Sequence, residues 1–521
     1  MPVPITHKST NVARGSLDKP EQGNPWIRHF AGIALGIILA VIVYFIFPRE
    51  ISGALAETLA GKEIETTPER IAATAALAVL MGTWWMTEAI PLAATALLPI
   101  VAMPLLGIAS VKEAASPYAS DTIFLFMGGF FLALAMQRWN LHRRIALVTV
   151  LLIGTKPKRL VLGFMVATGF LSMWVSNTAT AVMMLPIGTS VLATVGALES
   201  KDKQHKQQIS NFGTAVMLGI AYAASIASLS TLIGTPPNAL LRAYLQDNHD
   251  ITLSFGKWML FATPMAWIFL LIGWQLLVRL YRPEIDELPG GKAVIQKQLH
   301  EMGPMSPQEK AVGIIFILGA LAWVFIPTFW PDGPISDAVI AIAIGLLLFI
   351  LPAKPQEGIA LLNWDTAKEI PWDVLLLFGG GLSLSAAFGS SGLSHWIGDQ
   401  AAGLSGLPVV VIIIVVTALV IFLTEMTSNT ATAAAFLPII GGVAIGIGVD
   451  VSALVIPVAL AATCAFMLPV ATPPNAIAYG SGYVQIRQMV KAGIWLNLIG
   501  IALITVFTVL IGPQLLGYSI G

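Results

Sequence analysis

The chain has 521 residues, 56% of them hydrophobic and 11% charged, with mean hydropathy +0.81 and no formal net charge. Soluble domains carry about 25% charged residues, so a soluble globular fold is excluded, and the neutral balance argues against nucleic acid as a partner. A single cysteine, Cys464, rules out an internal disulfide and a cysteine metal cluster.

Residues 1–30 read as a polar cytoplasmic tail, and Ala31 to Phe47 as the first apolar run. A secretory signal would be charged and apolar almost from the start, so this run is read as an uncleaved span. Runs near the roughly 17–25 residues that a bilayer-crossing helix needs follow along the whole chain. Spans are predicted at 31–48, 72–87, 90–106 and 122–138. An apolar pair, 160–175 and 181–197, comes next, then 211–246, broken at Thr235-Pro236-Pro237, and 256–280. The second half gives 310–328, 335–352 and 372–388, then a pair at 408–424 and 430–447. It closes with 453–486, broken at Thr472-Pro473-Pro474, and 493–518. The expectation is an all-α polytopic membrane protein of about eleven transmembrane helices plus two helical hairpins. Short cytoplasmic loops carry the excess of Lys and Arg. With the N-terminus inside, only Arg49, Lys62, Arg70, Lys112, Arg242 and Lys257 of the 28 basic residues fall outside, which predicts a cytoplasmic N-terminus and an extracytoplasmic C-terminus.

The chain spells one motif twice. Ser176-Asn177-Thr178-Ala179-Thr180 returns 252 positions later as Ser428-Asn429-Thr430-Ala431-Thr432, each copy between the arms of an apolar pair. Asp121 and Asp373, each opening a Gly-rich span, share the offset. Gly234-Thr235-Pro236-Pro237-Asn238 returns as Ala471-Thr472-Pro473-Pro474-Asn475, 237 positions on, the polar stretch Glu199–Gln208 making most of the difference. Five crossings separate equivalent spans, so the halves form an inverted repeat, which places sites near the midplane between discontinuous helices. Each hairpin is either re-entrant or two crossings; arms at the short end for a span and a polar tip favour re-entry.

A helix that stops inside a membrane frees backbone groups that only protein or a water-filled cavity can satisfy. Thr235 and Thr472 are read as caps of restarting helices, with proline at the first helical position. Carbonyls ahead of each break suit a cation, and N–H groups after it suit an anion. Ser172 and Ser176, like Thr424 and Ser428, are spaced i, i+4 and would share a face on a helical arm. Uncharged oxygens are ligands that sodium accepts, and no Lys or Arg stands near either motif. Small hydroxylated residues also serve helix packing, but packing does not require two copies in register. Asp121 and Asp373 are read as helix-start residues. Glu88 and Glu425 lie in or beside apolar runs, and Glu425 could tune ion binding or take a proton. Trp84, Trp85, Trp139, Trp330 and Trp372 are read as interface anchors. The histidines lack metal spacing, and there is no nucleotide loop or nucleophile–base pattern, so neither an enzyme nor an ATP-driven pump is expected.

On these two Ser-Asn-Thr tips, each followed by a Thr-Pro-Pro-Asn break, the chain resembles the divalent anion/sodium symporter family over nearly its whole length. The resemblance implies sodium at Ser172, Ser176, Asn177 and Gly234, and at Thr424, Ser428, Asn429, Ala471 and Thr472. It implies that carboxylates bind Asn177, Thr178, Ser428, Asn429, Thr430 and Thr472. It also implies a homodimer whose transport domains move elevator-fashion. Scaffold helices would occupy 31–106 and 310–370, and the transport parts 107–280 and 371–521, with a cytoplasmic linker at 281–309. The expected function is sodium-coupled import of C4-dicarboxylates such as succinate, malate or fumarate across a bacterial inner membrane. A sodium-independent exchanger, a citrate or other divalent-anion transporter and an ion channel are the alternatives.

Overall fold

The computed structural model describes residues 25–520 apart from 51, 63, 155, 199–202, 284–290 and 331–332. Most of the expected tail, the start of the polar insert at 199–202 and part of the linker therefore lie outside the described residues. The first repeat opens with α1 (Pro25–Ile46), α2 (Gly53–Gly61), α3 (Pro68–Thr87), α4 (Leu92–Thr95), α5 (Leu98–Leu105) and α6 (Val111–Ala115). It continues with α7 (Asp121–Arg138), α8 (Leu141–Ile153), α9 (Pro157–Ser172), α10 (Asn177–Leu198), α11 (Lys203–Ser228), α12 (Pro236–His249) and α13 (Phe255–Leu280). After α14 (Gly291–Glu301), α15 (Pro307–Phe329) and α16 (Asp337–Ile350) begin the second repeat. A two-stranded antiparallel ribbon, β1 (Pro352–Lys354) with β2 (Ile359–Ala360), and α17 (Trp364–Ala367) follow. Then come α18 (Trp372–Ser390), α19 (Leu393–Ala401), α20 (Val409–Thr424), α21 (Asn429–Ile447), α22 (Val451–Ala462), α23 (Pro473–Gly480), α24 (Ile486–Val506) and α25 (Gly512–Leu516). The order α7 to α13 recurs as α18 to α24.

Eight described helices are long and apolar enough to cross a membrane, nine if the bent pair 393–404 and 409–424 counts as one. The expected eleven crossings exceed this because several are shorter apolar pieces, among them Leu92–Leu105, Asp337–Ile350 and Val451–Ala462. Proline and the motif breaks divide them. Burial sorts the helices by position. The Asn211–Ser228 window of α11 is 94% buried at the centre, whereas the His29–Ile46 window of α1 is 17% buried and presents its apolar surface outward.

The repeats exchange contacts through paired glycines. Gly128 of α7 lies against Ala341 of α16, where a Cβ would meet the Ala341 methyl at 2.7 Å. Its counterpart 252 residues on, Gly380 of α18, lies against Ala96 between α4 and α5, where a Cβ would meet the Ala96 Cα at 2.6 Å. Each half thus packs the middle of its Gly-rich helix on backbone of the other half. Asp121 stands in the first turn of α7, but Ser120 is the residue whose hydroxyl caps it. Asp373 stands in the first turn of α18. Glu88, at the end of α3, takes a left-handed conformation with φ 48°. Trp330 and Trp372 are exposed; Trp85, expected as an interface anchor, is instead fully buried and donates to the Leu92 carbonyl.

Candidate functional site

Helix α9 ends at Ser172, and the chain turns through Met173–Ser176 before α10 begins at Asn177. The i, i+4 spacing therefore does not put Ser172 and Ser176 on one helical face. The Ser176 hydroxyl accepts from the Ala179 N–H, capping α10. The fully buried Ser172 hydroxyl points inward, 2.7 Å from Asn177 Oδ1 and 2.6 Å from the Ala224 carbonyl of α11. A hydroxyl has one proton and can donate to only one of them. Three oxygens meet with a hydrogen for a single pair, a surplus of lone pairs that suits a cation. The other end of the Asn177 amide donates to Ser228 Oγ at 3.3 Å, at the end of α11.

The second repeat builds the same cluster. Thr424, the buried last residue of α20, lies 2.8 Å from both Asn429 Oδ1 and the carbonyl of Ala462, the last residue of α22. Ser428 caps α21 through the Ala431 N–H, as Ser176 caps α10. The structure thus groups Ser172 with Asn177, and Thr424 with Asn429. The cluster carbonyls Ala224 and Ala462 escape sequence reasoning, because any residue supplies one. Thr178 is exposed at the first tip, while Thr430 is buried at the second.

The breaks lie behind the tips. Thr472 caps α23 through the Asn475 N–H. Thr235 precedes α12 but makes no such cap, because its hydroxyl lies 3.2 Å from that of Thr463, joining the two breaks. Gly234 permits a close turn: a Cβ there would stand 3.0 Å from the Ser228 carbonyl carbon. Ala471 has room for its methyl group. The motif asparagines clamp both breaks. Asn238 Nδ2 donates to the Leu229 and Thr231 carbonyls, and Asn475 Nδ2 to those of Ala465 and Leu468. A cavity of about 240 Å³ beside the first tip, reached by Gln137, His142, Val175 and Thr180, adjoins the oxygen cluster without including it.

Glu425 breaks the symmetry. Its carboxylate is buried and accepts from the N–H groups of Phe466, Met467 and Leu468 at 2.7–3.2 Å, and from Asn497 Nδ2 at 2.8 Å. Every one of these partners donates. An ionised carboxylate is acceptor-only, so these four donors fit its charged form; the Asn497 amide oxygen beside it makes no hydrogen bond. The group fixes the second break from within, and Met173 stands in its place in the first repeat. Among the described residues, no group of three or more His, Cys, Asp or Glu could hold a metal ion.

The family described as the transmembrane region of sodium:sulfate symporters matches residues 62–517. The chain is 40% identical over 509 residues to a protein named sodium-dependent dicarboxylate transporter SdcS of Staphylococcus saprophyticus, covering 96% of this chain and 95% of the relative. To the protein of the same name in Staphylococcus aureus strain USA300 it is 44% identical over 451 residues, covering 85% and 86%. Among solved structures it is similar to the Alcanivorax borkumensis YdaH transporter, described as having an unusual topology. That match has TM-score 0.51 and 15% identity, over 84% of this chain and 98% of the other, and it bears on the fold.

Proposed function

Since the chain belongs to the sodium:sulfate symporter family, we propose that it is a sodium-coupled importer of C4-dicarboxylates such as succinate, malate and fumarate. The observation that carries this reading is the doubled oxygen cluster, Ser172–Asn177–Ala224 and Thr424–Asn429–Ala462. Each cluster crowds lone pairs that a monovalent cation relieves.

One sodium is assigned to Ser172, Asn177 and the Ala224 carbonyl, with Ser176 and Gly234 completing the wall. The second is assigned to Thr424, Asn429 and the Ala462 carbonyl, with Ser428, Ala471 and Thr472. The dicarboxylate lies between the tips on Asn177, Thr178, Ser428, Asn429, Thr430 and Thr472. In this reading its charge is met by hydroxyl and amide donors and by the bound cations. Without sodium the substrate would face the crowded oxygens unscreened, which is the physical basis of coupling. The hairpins are re-entrant, with the N-terminus in the cytoplasm and the C-terminus outside. Two copies join through scaffold helices while the tips and breaks move as a transport body. The expected transport parts, 107–280 and 371–521, include α7 and α18; the contacts of Gly128 with Ala341 and of Gly380 with Ala96 favour counting these two helices with the scaffold instead.

Succinate uptake by proteoliposomes under an inward sodium gradient, against an equal potassium gradient, tests the proposal. Concentrative uptake with sodium alone is expected. Equal uptake with both ions, seen only after preloading with dicarboxylate, would make the protein an exchanger and overturn the coupling.

A further inference from the structure

Trp174 sits inside the turn of the first tip, three residues before Asn177, and is buried among rings of α13 and α15. Its ring lies edge-on to Phe316, with centroids 4.9 Å apart, and stacks with Phe255 at 6.1 Å and Trp323 at 6.5 Å. Phe255 and Trp323 stack on each other at 4.9 Å. The box is anchored to Asp337, at the start of α16. Asp337 Oδ2 accepts from the Phe255 N–H, and its carbonyl accepts from Trp323 Nε1. The same carboxylate lies 3.7 Å from Arg242 of α12, whose guanidinium also reaches Asp121 of α7 at 3.5 Å and Thr122. Arg242 is 3% exposed. An aromatic dock and an ion triad, buried at Arg242 and Asp337 and partly exposed at Asp121, thus meet at one aspartate, where the first tip and α12 abut α7, α15 and α16.

The second repeat has no counterpart at the matching position. Met426 stands where Trp174 stands in the first repeat, and it is 76% exposed. The two tips carry the same polar motif, but only the first has its neighbouring side chain seated in such a box. Packing within one rigid body would not require that difference.

We propose that Trp174 in its aromatic box, with Arg242 between Asp121 and Asp337, is a latch that holds the first hairpin to the scaffold in this state and must open during each transport cycle. The proposal rests on the reading above that tips and scaffold move as separate bodies. Trp174 acts as a positioning residue, because it sets where Asn177 stands without being assigned to substrate or ion.

The test cross-links Trp174→Cys to Phe316→Cys in a Cys464→Ser chain, using a short bifunctional methanethiosulfonate reagent, and measures sodium-driven succinate uptake. Uptake should fall at least tenfold on cross-linking and return on reduction. Full uptake by quantitatively cross-linked protein would overturn the latch. Absence of uptake in the Cys464→Ser parent would instead count against the proposed function. If the paired variant does not fold, a Val175→Cys reporter, at a position 4% exposed, replaces it. Its reaction with a polar thiol reagent should quicken several-fold when Trp174→Met is added, and stay at the parent rate with Trp174→Phe, which keeps a ring. An unchanged rate with Trp174→Met would equally overturn the latch.

Discussion

Ser172 and Thr424 differ by a methyl group, yet each hydroxyl faces a tip amide oxygen and a helix carbonyl at 2.6–2.8 Å. That equivalence makes the residue-scale predictions symmetric. Asn177→Ala and Asn429→Ala should each abolish concentrative succinate uptake while the protein still inserts and purifies as wild type. Wild-type rates in either would remove the tip amides from the site. Ser172→Ala and Thr424→Val should each raise the sodium concentration for half-maximal uptake by tenfold or more, read from uptake against sodium at saturating succinate. Glu425→Ala leaves three N–H groups of the second break without an acceptor, at about 1–3 kcal/mol for each buried group left unpaired. A lower thermal midpoint in detergent, with or without sodium, is the expected reading; an unchanged midpoint would mean that the break does not depend on this carboxylate. The tip asparagines and hydroxyls were legible in the sequence because the motif repeats in register. The Ala224 and Ala462 carbonyls were not, since a backbone oxygen has no side-chain signature. Nor was the setting of Arg242, which the charge count placed on the outer side of the membrane and which lies between two aspartates in the structure.

At the scale of elements, spans followed from the lengths of apolar runs, and breaks from Thr-Pro-Pro. Helices α8 and α19 escaped that reading. They are short, of mixed polarity, and precede the two hairpins; α8 carries Arg143 and Arg144 in its first turn. A fainter signal was present. Asn140 and Gly392, 252 positions apart, both take the left-handed conformation that starts these helices, at φ 59° and 82°. Asparagine and glycine are the residues that tolerate it best. The hydroxyl pairs misled for the opposite reason: i, i+4 spacing implies a shared face only while the helix continues, and both arms end at the first residue of the pair. The glycine crossings carry the element-scale prediction. Gly380→Val places a side chain on Ala96, and overpacking of this kind costs about 1–3 kcal/mol. Thermal unfolding in detergent should show a midpoint several degrees lower, whereas Gly403→Val, where a Cβ has open space, should match wild type. Equal midpoints would contradict the close crossing.

Across the whole molecule, the halves exchange contacts at Gly128–Ala341 and Gly380–Ala96, and the breaks meet at Thr235 and Thr463. Duplication was legible as two offsets, 252 and 237. How the halves interlock was not, because a repeat says which segments are alike and nothing about which of them touch. The proposed function rests on two matched oxygen clusters that bind sodium and thereby admit the dicarboxylate. Simultaneous uptake of radiolabelled sodium and radiolabelled succinate into the same proteoliposomes tests this most directly. Sodium should enter only when succinate is present, in a fixed ratio above one, and Thr424→Val should lower both fluxes together at sodium concentrations that only just saturate the wild type. Sodium entry without succinate, or succinate entry at the same rate in potassium, would contradict it.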